Sequence, residues 1–185
     1  GEDTLTRSKV SKRYAKALLS LGMEDGRYQE YGKELRVFAD FCESYGELNQ
    51  AITNPAFTLE DRKEILKALL ARSAASETIR NFLNLLLDKG RISAVGEISA
   101  FYEQLTDEVS NILRAEVVVP RPLTGEVESR LGRALEQMTS KKVRMNVRQD
   151  KSILGGIIVK NGDLVVDGTV KAQVQGIKES LKRGE

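Results

Sequence analysis

Arg114-Ala115-Glu116-Val117-Val118-Val119-Pro120 is where the chain changes character. Before it, apolar residues recur every three or four positions, the period of a helix with one buried face. At it, a β-branched run reads as a strand, and Pro120 and Pro122 stop that strand. The expectation is a mostly α protein: a six-helix bundle over 8–114, then a small α+β domain of β-α-β-β-α order over 115–185.

Upstream, Val10, Tyr14, Ala17, Leu18 and Leu21 form the main stripe of a first helix, with a smaller stripe, Ala15, Leu19 and Gly22, opposite it. Which of the two faces inward is left open by the sequence. The polar opening, Gly1 to Thr6, is expected to be disordered, and Gly22 and Gly26 to loosen the chain after the first helix. Tyr28, Tyr31, Leu35, Phe38, Ala39, Cys42 and Tyr45 share one face of a second helix, with Gly46 placed to end it. A short helix stops at Asn54-Pro55, because the residue before proline avoids the helical region. Thr58 followed by Asp61 resembles a capping box for a fourth helix. The fifth runs from about Ser76 to Lys89 and closes at Gly90; its Ile79, Phe82, Leu83, Leu85, Leu86 and Leu87 cover an arc of roughly 200°, about twice a one-sided stripe. Such a helix is central in its bundle or apolar toward a partner as well. A sixth is expected from about Ser93 to Arg114.

Downstream, Thr124 can cap a helix carrying Val127, Leu131, Leu135 and Met138. Val143, Met145 and Val147 alternate with Arg144, Asn146 and Arg148, the mark of a half-exposed strand. Strands at Ile157 to Lys160 and Leu164 to Val166 flank the hairpin signal Asn161-Gly162, and Val170, Val174, Ile177 and Leu181 mark a last helix.

Inventory narrows the chemistry. The 185 residues include no histidine and one cysteine, which excludes a histidine triad, a Cys/His zinc site and an internal disulfide. No catalytic residue, cofactor or metal site is expected. The 29 basic and 27 acidic residues are interspersed, so there is no electrostatic footprint for nucleic acid or anionic lipid. No apolar run approaches the ~20 residues of a membrane span. Gly155-Gly156 could be a phosphate cradle, but neither the P-loop nor the G-x-G-x-x-G spacing surrounds it, and a bulge or close backbone contact accounts for it. The β-α-β-β-α order is faintly KH-like, yet its glycines flank strands rather than joining helices.

Arg13-Tyr14-Ala15-Lys16-Ala17-Leu18 resembles the opening helix of the ATP synthase delta subunit family, whose mitochondrial relative is the oligomycin-sensitivity-conferring protein. Asp88-Lys89-Gly90-Arg91-Ile92 resembles that family's turn between its fifth and sixth helices. Asp150 to Val159, followed by Gly162-Asp163 and Asp167-Gly168-Thr169-Val170, is very similar to its C-terminal signature. The resemblance implies a non-catalytic stator connector, one copy per complex, that ties the catalytic alpha/beta hexamer to the peripheral stalk and resists rotor torque. It implies that the N-terminal domain receives the N-terminal segment of an alpha subunit in a groove edged by the first and fifth helices. Tyr14, Ala17 and Leu18 on the first, with Leu83, Leu86 and Leu87 on the fifth, are expected to line it. The C-terminal domain is expected to hold the C-terminal helices of a b-type stalk subunit. The implied location is peripheral, on the cytoplasmic face of a bacterial cell membrane, without direct insertion, with the inner face of an organelle as the alternative. A helical adaptor with another protein partner is the alternative reading, and an RNA-binding module a more distant one.

Overall fold

A computed structural model describes residues 2–152 and 156–159. The protein is mostly helical with a small sheet, and it divides into two compact units, 1–106 and 107–185.

In the first unit the helices follow one another through short turns: α1 (Glu2–Asp25), α2 (Tyr28–Ser44), α3 (Gly46–Thr53), α4 (Leu59–Ala71), α5 (Glu77–Asp88), a single 3-10 turn at Ile92–Ala94, and α6 (Val95–Val109). Local chemistry sets most of these ends. Thr58 Oγ1 accepts from the Asp61 N–H at 3.1 Å, and Ser76 Oγ accepts from the Ile79 N–H at 3.4 Å, each satisfying an otherwise orphaned donor. At the end of α5, Gly90 N–H donates to Leu87 O at 3.1 Å and Arg91 N–H to Leu86 O at 2.7 Å. That is a Schellman closure, and it needs the left-handed φ of +64° that Gly90 supplies. The core gathers Ala15 and Leu18 of α1, Leu35 of α2, Ile52 of α3, Leu66 of α4, Leu83 and Leu86 of α5, and Ile98 and Tyr102 of α6.

Several boundaries differ from expectation. The first helix already starts at Glu2 and runs through Gly22 to Asp25. Its start is tied down by the Ser8 and Ser11 hydroxyls, which donate to the two Glu97 oxygens at 2.6 and 2.7 Å. Gly46 opens α3 rather than closing α2, whose cap is Tyr45. Helix α6 ends at Val109, not Arg114, because Asn111 turns left-handed at φ 55°. Asparagine tolerates that conformation; here its side chain also donates to Ser140 O at 3.0 Å. The strand consequently starts at Ile112, and the compact helical unit ends at Thr106 rather than at Arg114.

The hydrogen bonds from Ser8 and then Ser11 hold the Glu97 carboxyl below its ordinary pKa of 4.5. A depressed folded-state value contributes stability above 4.5 that is lost as pH falls through the folded value. Thermal melting between pH 6 and about pH 3 should therefore show a loss that Ser8→Ala/Ser11→Ala makes shallower. Equal slopes for both proteins would mean the clasp contributes nothing.

The second unit holds β1 (Ile112–Val119), α7 (Gly125–Thr139), β2 (Lys142–Gln149) and β3 (Gly156–Val159). The strand order is β2-β1-β3; β1 runs parallel to β2, with Val117 beside Val147, and antiparallel to β3. Parallel neighbours need a crossover, and α7 provides it. Thr124 caps α7 by accepting from the Val127 N–H at 3.4 Å. Ala115 and Val117 of β1 pack with Leu131 and Leu135 of α7, and Val143, Met145 and Val147 of β2 join from the same face. The expected strand at Leu164 to Val166, the Asn161-Gly162 turn and the last helix with Val170 to Leu181 lie outside the described residues.

Candidate partner-binding surface

The two stripes of α1 divide in an unexpected way. Ser11, Ala15 and Leu18 are buried, and Gly22 continues that row. The spacing i, i+4, i+7, i+11 makes this the inward face. Gly22 shows why. A Cβ there would stand 2.5 Å from Tyr28 Cα, so the chain after the α1–α2 turn lies directly against the Gly22 backbone. Gly22→Ala has no flexible side chain to push aside and should cost about 2 kcal/mol or more of stability, as overpacking does. Urea unfolding checks it; a midpoint like that of the unaltered protein would deny this close approach a role.

The rest of α1 is left facing out. Val10 and Tyr14 are half-buried, Ala17 is exposed, and Leu21 is 51% exposed. These four again follow i, i+4, i+7, i+11 and form one apolar row. Tyr14 meets Phe82 of α5 edge to face, with ring centroids 6.5 Å apart. Phe82 is nearly covered, but Leu85, three residues further along α5, is 42% exposed. The two helices are also held near the other end of α1. The Tyr31 hydroxyl bonds the Asp25 carboxylate and reaches Thr78 Oγ1 at 3.2 Å. The Tyr31 hydrogen bond, ahead of any other cause, keeps the Asp25 carboxyl below its ordinary value.

Of the six residues expected to line a groove, Leu18, Leu83, Leu86 and Leu87 are core, each at most 1% exposed. They present no surface to a docked helix. Tyr14 and Ala17 do, and the row adds Leu21, Phe82 and Leu85. The wide apolar arc of α5 is consumed mainly by the core of the helical unit: Ile79, Phe82, Leu83, Leu86 and Leu87 are buried, and Leu85 alone of the six is exposed. Helical position alone does not single out Leu21 or Leu85: Leu21 lies near the centre of its stripe, and the buried Leu87 lies as far from the centre of the α5 arc as the exposed Leu85 does. Cys42 is a core thiol, 6% exposed, with its pKa pushed up to about 11 by burial, so it is not a nucleophile at neutral pH. No helix among the described residues is long and apolar enough to cross a membrane.

The family model for the ATP synthase delta (OSCP) subunit matches residues 10–181. The chain is 39% identical over 176 residues to the ATP synthase subunit delta of Desulfosudis oleivorans, covering 95% of this chain and 96% of the relative. It is 40% identical to that of Geobacter metallireducens, covering 95% and 97%. A chain in the cryo-EM structure of the Toxoplasma gondii mitochondrial ATP synthase hexamer shares the fold, with a TM-score of 0.67, 17% identity, and coverage of 92% and 96%.

Proposed function

The chain belongs to the ATP synthase delta (OSCP) subunit family, and on that premise we propose how its two units share the work. It is a structural, non-catalytic subunit of the F-type complex, a stator connector between the catalytic head and the peripheral stalk that serves ATP synthesis and ion transport. Its association with the membrane is peripheral, through the complex.

The helical unit acts as a six-helix bundle that docks on the head. The row Tyr14, Ala17 and Leu21, beside Phe82 and Leu85, receives the amphipathic N-terminal segment of an alpha subunit as an added helix. Leu18, Leu83, Leu86 and Leu87 form the rigid floor behind that row. The second unit completes a β-α-β-β-α order and holds the C-terminal helices of a b-type stalk subunit, on the cytoplasmic face of the membrane, one copy per complex. The observation that carries the reading is the outward row on α1. A helix that already buries one full face in its bundle has a second apolar row that the bundle covers only in part, leaving Ala17 and Leu21 exposed, which is how a helix-accepting surface looks.

The test separates the units. Residues 1–110, which stop at the turn after α6, should remain helical by circular dichroism, bind an alpha N-terminal peptide as the full chain does, and fail to bind the stalk's C-terminal segment. Stalk binding that survives in the fragment would defeat this division of labour.

A further inference from the structure

Away from the α1 row, the helical unit has a recess of about 540 Å³ between α2, α3, α4 and the start of α5. That volume lies within the range of about 300–1,000 Å³ typical of small-molecule sites. Its floor is Leu70, Ile79 and Leu83, all buried, and Phe41 and Leu69 stand in its walls.

The polar groups around the recess are almost all committed. Glu34 accepts from both the backbone N–H and the hydroxyl of Ser76, at 2.8 and 2.7 Å. The Ser73 hydroxyl donates to Leu70 O at 2.9 Å. The Ser73 and Ala75 carbonyls accept from the Arg80 guanidinium at 3.1 and 2.9 Å. Two cationic side chains stand apart from these bonds. Lys33 and Arg72 both line the recess, both are exposed, and neither makes an ion pair among the described residues. The mouth of an apolar recess is thus cationic, with its one carboxylate already engaged.

We infer that this recess binds an anionic amphiphile, its apolar tail against Val37, Phe41, Leu48 and Leu69 and its acidic head between Lys33 and Arg72. The tail removes apolar surface from water, and the head meets two cations that form no close ion pair among the described residues. A carboxylate and a phosphate head share the required chemistry, so both sources belong in the test.

The full chain is titrated by calorimetry, below micelle formation, with dodecanoate, with a lysophosphatidylglycerol of the same tail, and with dodecyltrimethylammonium. At least one anionic probe should bind saturably, one per chain, and at least tenfold more tightly than the cationic one. Lys33→Glu/Arg72→Glu should weaken that probe at least tenfold. Ala74→Trp, which fills the recess from an exposed lining position, should abolish binding while leaving the helical signal intact. Equal affinity for the cationic probe, affinity unchanged in both variants, or uptake that never saturates would overturn the proposal. So would failure of both anionic probes, including the case in which an acidic amphipathic peptide binds there instead.

Discussion

Ala17→Asp is expected to leave the helical unit folded and to cost at least about 2 kcal/mol, some thirtyfold, in affinity for an alpha N-terminal peptide. Ala17 is exposed, so the new carboxylate stays in water in the free protein. The folded state should lose only the difference in helix propensity, about 0.7 kcal/mol or less. Once a helix docks on the row between Tyr14 and Leu21, the same carboxylate is caught in an apolar contact without a partner. A companion variant sharpens the reading. Leu86→Ala, in the fully buried floor, should cost about 2–5 kcal/mol of stability through the cavity it leaves. Titration of both variants, each with its melting curve, distinguishes surface from floor. Unchanged peptide affinity in a well-folded Ala17→Asp protein would remove the α1 row from the interface.

Arg114→Leu is expected to destabilise the second unit by about 3 kcal/mol. Asp107, at the end of α6, is 4% exposed, and the Arg114 guanidinium of β1 binds its carboxylate through both Nε and Nη2. Removing the cation strands a buried carboxylate, which costs more than the pair itself contributes. The double variant Asp107→Leu/Arg114→Leu should therefore recover much of the loss, since an apolar pair leaves no charge behind. Chemical denaturation of the three proteins reads this directly. A double variant as unstable as the two single losses added together would show that the pair is not a coupled unit.

The features legible in the sequence were those decided within a few residues. The Thr58, Ser76 and Thr124 caps, the glycine closure at Gly90 and the stop at Asn54-Pro55 each depend on groups that the chain itself brings together. The end of α6 was less legible because Ile112 and Leu113 fit a helical period as well as an alternating one. What divides them is the left-handed Asn111, whose side chain and carbonyl meet Ser140 and Lys142 about thirty residues on. The inward face of α1 was not legible for the same kind of reason. Both stripes are apolar, and the choice falls to Gly22, where the backbone of Tyr28 leaves no room for a side chain. The burial of Leu83, Leu86 and Leu87 was not legible because a wide apolar arc looks the same whether the chain's own core or a partner covers it. Only the exposure of Leu85 beside the burial of Leu83, Leu86 and Leu87 separates the two.

The position of β1 in its sheet has a consequence for the newborn chain. It is the central strand, yet both of its neighbours, Lys142–Gln149 and Gly156–Val159, leave the ribosome after it. At ~5–20 residues per second, the gap from Val119 to Gln149 lasts roughly two to six seconds, during which neither edge of β1 has its partner. Val117-Val118-Val119 is the kind of short β-branched run that pairs with other chains when left open. Its own flanks guard it in that interval. Arg114 and Glu116 place opposite charges within the strand, and Pro120 and Pro122 prevent its extension into a longer sticky segment. The prolines that end the strand in the finished protein thus have an earlier task, protecting a nascent chain whose central strand is made first.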